Sequence, residues 1–82
     1  MTYILKITTR YGNSETNTVR SWGFMGYDGA RKKMIEELES LHRQIMATEL
    51  TDVTGYTIML NEWLGIVGTY NKVAWINYDL AL

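Results

Sequence analysis

Residues 28–47 read DGARKKMIEELESLHRQIMA, and this stretch decides the fold. Its apolar positions are Ala30, Met34, Ile35, Leu38, Leu41, Ile45 and Met46. Steps of four, one, three, three, four and one between them keep all seven on one stripe of an α-helix, with mostly charged and polar residues on the rest of the circumference. Such a helix must lay its stripe on something apolar. Arg31, Lys32 and Lys33 open it, although the helix dipole disfavours cations in a first turn. Asp28 stands where an N-cap carboxylate would accept from the first backbone amides and offset that charge. Lys32 and Lys33 also precede Glu36 and Glu37 by four residues, a spacing worth a few tenths of a kcal/mol per ion pair.

On the N-terminal side, residues 2–11, TYILKITTRY, alternate between two faces. Tyr3, Leu5, Ile7 and Thr9 share one face, and Lys6, Thr8 and Arg10 the other, as in a half-buried strand. Gly12-Asn13-Ser14-Glu15 supplies turn chemistry. Residues 17–25, NTVRSWGFM, then return as a second strand of a hairpin, with Gly23 marking a bulge or a close backbone approach. On the C-terminal side, residues 53–60 place Tyr56, Ile58 and Leu60 on one face of a strand. Residues 61–70, NEWLGIVGTY, read as a further strand, because Gly65 and Gly68 penalise a helix. Residues 72–80 read as a last strand after a turn at Tyr70-Asn71. The expected fold is therefore α+β: a small two-layer sandwich, one antiparallel sheet of four to five strands in the order β-β-α-β-β-β, with the long helix on one face.

Composition bounds the rest. A chain of 82 residues with 46% apolar residues holds one domain, residues 1–82, and one modest core. Its lack of cysteine removes disulfides, thiolate chemistry and cysteine-ligated zinc, which points to a cytoplasmic setting. The first residues lack the basic stretch and apolar run of a signal peptide, and no apolar run approaches a membrane span, so no membrane partner is expected. Net charge is −1, but residues 1–33 carry +4 and residues 34–82 carry −5. Opposite poles of this kind steer encounters.

Sites for chemistry are few. His42 is the one histidine, with neither a second metal ligand nor a nucleophile near it in sequence. We therefore expect no catalytic residues, no metal and no cofactor, and a chain that is not an enzyme. Two surfaces remain. Glu36, Glu37 and Glu39 read as an acidic stripe on the outer helix face, and Trp63 and Trp75 as rim aromatics that anchor a protein partner. The primary expectation is a small non-enzymatic protein-binding module. Phage-encoded inhibitors of host defence proteins, the anti-CRISPRs among them, are frequently domains of this size and plainness. The alternative is an anion or nucleic-acid site in the strand-loop-helix 20–33, where Arg20, Arg31, Lys32 and Lys33 surround Trp22 and Tyr27. A further alternative is a self-assembling subunit, a homo-oligomer held by the aromatic surplus or an open sheet edge.

Overall fold

Strand β1, Tyr3–Tyr11, is paired on both sides and packs one of its faces on the core, which is why its burial alternates. A computed structural model describes residues 2–47, 52–65 and 67–80. Tyr3, Leu5, Ile7 and Thr9 are buried on one face of β1, while Lys6 on the other face is exposed. A short 3-10 turn, Ser14–Thr16, follows, with the Asn13 side chain accepting from the Glu15 amide. Strand β2, Thr18–Phe24, returns antiparallel to β1. Gly23 pairs in register with Ile4, and no described atom beyond its chain neighbours comes within 4 Å of where its Cβ would stand, so it marks neither the bulge nor the close approach expected there. Register shifts fall instead between Arg10 and Tyr11 and between Leu60 and Asn61.

Helix α1 runs Tyr27–Met46. Gly26 occupies the N-cap and provides no side-chain bond, so the expected capping role of Asp28 gives way to a place inside the first turn. There its carboxylate still favours the helix dipole. Ala30 and Leu41 are buried, and Met34, Leu38 and Ile45 pack on the core beside them. Opposite them lie Leu5, Ile7, Ile58 and Leu60, all at 0% exposure.

After the helix come two long strands rather than three. Strand β3 spans Val53–Leu64 and β4 spans Thr69–Asp79. The expected separate strand over 61–70 is divided: Asn61–Leu64 prolongs β3, and Thr69-Tyr70 opens β4. Gly68, at φ 64°, supplies the left-handed residue of the turn, a conformation glycine adopts without strain. Two contacts carry β3 past Leu60: the Trp63 amide donates to the Thr2 carbonyl at 2.8 Å, and the Trp63 ring lies 4.8 Å from that of Tyr70.

The sheet is antiparallel throughout, in the order β2-β1-β3-β4, with α1 on one face. It is the four-stranded member of the sandwich class expected from the sequence. The helix lies over β1, β2 and β3 and stops short of β4. Among the described residues, nothing covers the β4 edge or the other face of the sheet.

Candidate binding surface

Pairing registers assign every side chain to a face. With Leu5, Ile7, Ile58 and Leu60 under the helix, alternation sends Ile4, Lys6, Thr8 and Arg10 of β1 to the open face. Met59, Asn61 and Trp63 of β3 go with them, as do Tyr70, Lys72, Trp75, Asn77 and Asp79 of β4. Trp63 is 37% exposed, Tyr70 50% and Trp75 53%. The Lys72 ammonium sits 5.2 Å over the Trp75 ring, and Met59 lies directly across from Trp75.

The other end of this face is polar and closed on itself. The Arg10 guanidinium reaches across β3, donating to Thr57 Oγ1 at 2.5 Å, to the Tyr78 carbonyl at 3.0 Å and to Asp79 Oδ1 at 2.7 Å. Thr57 donates on to Asn77 Oδ1 at 2.8 Å, and Asn77 Nδ2 to Asp79 Oδ2 at 3.2 Å. Gly55 makes the crossing possible. A Cβ there would collide with the Tyr78 carbonyl and lie 2.6 Å from the Arg10 guanidinium. The open face therefore has an apolar aromatic end and a polar end tied by charge-assisted bonds from Arg10.

Charge is sorted by face as well as by position along the chain. Lys6, Arg10 and Lys72 stand on the open face against Asp79 alone, a net +2 that leaves −3 for the remainder. Asp79 is already paired with Arg10 at 2.7 Å. Lys6 and Lys72 have no ion-pair partner among the described residues.

The residues proposed from sequence divide between the two sides of the molecule. Trp63 and Trp75 both lie on the open face and are partly exposed. Glu36 and Glu39 are exposed on α1, across the sheet from both. Glu37, expected beside them on the outer surface, turns toward β2 and pairs with Arg20 and Lys33, each at 3.0 Å. Burial, the largest single influence on Glu37, acts to raise its pKa. The bonds and charges of Lys33 and Arg20 together outweigh it and hold the carboxyl below the ordinary value of 4.5.

That same arrangement divides the basic strand-loop-helix. Arg20 and Lys33 lie 5.1 Å and 5.2 Å from the half-buried Trp22 ring, and both are committed to Glu37. The Tyr27 ring meets Tyr3 edge-on at 5.7 Å. Arg31 and Lys32 are exposed and have no ion-pair partner among the described residues, so Lys32 and Glu36 stay apart despite their spacing. The cations of the first turn thus have two fates: Lys33 is part of the packing, and its two neighbours face water.

A concavity of about 460 Å³ runs between α1 and β3, lined by Leu38, Glu39, His42, Arg43 and Tyr56. Tyr56 is buried and stacked on Tyr78 at 5.3 Å; burial, and then the neighbouring Tyr78, raise its phenol pKa above the ordinary 10.0. Among the described residues no group of three or more His, Cys, Asp or Glu side chains is placed to hold a metal ion. No described helix is long and apolar enough to cross a membrane.

Sequence reasoning missed Tyr70, Lys72, Lys6 and Met59 as members of the surface. Lys6 was assigned to the outward side of its strand, but nothing told that the helix would leave this side bare. Tyr70 fell in the segment whose strand boundaries were misplaced. Compared with family models, curated proteins and solved structures, the chain has no significant match.

Proposed function

We propose that this chain is a non-enzymatic protein-binding domain and that its interface is the open sheet face, centred on Trp75 with Trp63 and Tyr70 as further anchors. One observation carries the reading: three large aromatic side chains stand 37–53% exposed on the single face that no helix covers. Clustered exposed aromatics mark interaction surfaces, and Trp and Tyr dominate the energetics of protein interfaces. Lys6 and Lys72 flank the cluster and favour a partner with an acidic rim. As an inhibitor of a host protein, such a domain would act by occupying its target's working surface with this face.

A protein partner suits the geometry better than a nucleic acid does. Lys72 covers the Trp75 ring and Trp63 packs on Tyr70, so fewer ring faces are free for bases to stack on. The test places a photo-crosslinking residue at position 70 and, separately, at position 36 on the helix, in cells of the natural host. Cross-linking to one protein from position 70 and not from 36 is expected, and Trp75→Ala should weaken that complex about 30-fold or more. Cross-links from position 36 alone, to nucleic acid, or from neither position overturn the reading.

A further inference from the structure

The free edge of β4 has a self-complementary pattern. The Leu80 amide donates to the Thr54 carbonyl, so Leu80 turns its backbone groups inward to β3. Antiparallel alternation then turns those of Tyr78, Ile76 and Ala74 inward as well, and those of Trp75, Asn77 and Asp79 out to the open edge. Between Ala74 and Lys72 the register skips Val73, the extra residue of a bulge, so Lys72 takes the place in the alternation that Val73 would have held. Residues facing out on β4 must meet residues facing out on any strand added there.

We propose that two copies of this chain associate by antiparallel pairing of their β4 edges about a two-fold axis at Ile76, joining the sheets into one of eight strands. In this register Lys72 lies opposite Asp79 of the second copy, and the symmetry repeats the pair at the other end. Ile76 meets Ile76. Ala74 meets Tyr78, small against large, on the helix side. Trp75 meets Asn77 on the open side. The helix stops short of β4, leaving Tyr78 at 41% exposure, and a second β4 covers that flank. No proline interrupts the strand. Lysine and a bulge commonly guard an edge against pairing; here they sit at one end, where this register alone gives the lysine an acidic partner. Face-to-face stacking of the open faces is disfavoured, since it would set +2 against +2.

The pairing joins edges rather than faces, so the Trp63, Tyr70 and Trp75 cluster stays accessible and the two proposals share only the charge of Lys72. Sedimentation of the wild-type chain should give twice the 9.5 kDa monomer mass. Lys72→Glu, which sets like charges at both ends, should weaken the dimer about tenfold or more with an unchanged circular-dichroism spectrum. The chain has no cysteine, so Ile76→Cys provides a geometric test. Position 76 forms a non-hydrogen-bonded pair across the axis, close enough for a disulfide. Mild oxidation should link Ile76→Cys into dimers while Val19→Cys, on the β2 edge, stays monomeric. A monomer at the highest soluble concentration overturns the proposal. So does a dimer that ignores Lys72→Glu, or one that links through position 19 as readily as through 76.

Discussion

The two faces of this sheet are made from the same four strands and differ in how far their side chains are withdrawn from water. Under the helix, Leu5, Ile7, Ile58 and Leu60 are fully buried. One position along each strand, Ile4, Lys6, Met59 and Thr57 are half-buried or exposed. The difference teaches where stability ends and recognition begins: truncating a side chain on the first face opens a cavity, while truncating one on the second mostly changes what water touches.

The largest expected effect tests that division directly. Ile58→Ala should lower unfolding free energy by about 2–5 kcal/mol, a large part of the margin of so small a domain. Trp75→Ala, on the facing strand but the other side, should move it by less than about 1 kcal/mol. Urea titrations of both variants check the pair, and comparable losses would mean that the open face is a second core.

Gly55 sharpens the comparison, because it serves the open face from inside the sheet. Gly55→Ala should destabilise by about 1–3 kcal/mol, since backbone and the Arg10 guanidinium leave no room for a methyl group. Arg10→Met tests the same crossing from the other side. It removes the bonds to Thr57, the Tyr78 carbonyl and Asp79 while keeping most of the stem, and should cost about 1 kcal/mol. If Gly55→Ala becomes harmless in the Arg10→Met background, the clash is with the guanidinium; if it stays costly, the Tyr78 carbonyl is the obstacle.

The covered face was legible in the sequence, and the open face was not. Period-two alternation in β1 and the stripe of α1 named Tyr3, Leu5, Ile7, Leu38, Leu41 and Ile45 as mutually facing. Both signals are local. Which strand escapes the helix depends on strand order, and β4 became an edge because β3 pairs with β1. That pairing joins residues some fifty positions apart, as in Ile7 with Ile58, and no local pattern records it. The hairpin between β3 and β4 was misread for a related reason. Asn61–Leu64 looks like a boundary by composition, yet the Thr2 carbonyl and the Tyr70 ring, distant or across a turn, hold it extended. The acidic stripe failed at one position because helical spacing places Glu37 on the flank, where Arg20 of β2 captures it.

Glu37 gives the smallest effect and the one with a defined sign. Its carboxyl titrates below the ordinary 4.5 in the folded chain, because Lys33 and Arg20 together outweigh its burial. A carboxyl that binds its proton less tightly when folded contributes stability that is complete above the unfolded value. The contribution is lost as pH falls from 4.5 through the depressed folded value. Glu37→Gln removes that dependence, so wild type and variant should differ by about 1 kcal/mol or less near neutrality and converge in acid. Both cations are partly exposed, at 46% and 32% of their side chains, and salt should shrink the gap further. Urea midpoints of the two proteins across that pH range provide the measurement. A gap that widens on acidification would mean that Glu37 is a strained carboxylate rather than the partner that fixes β2 to the helix.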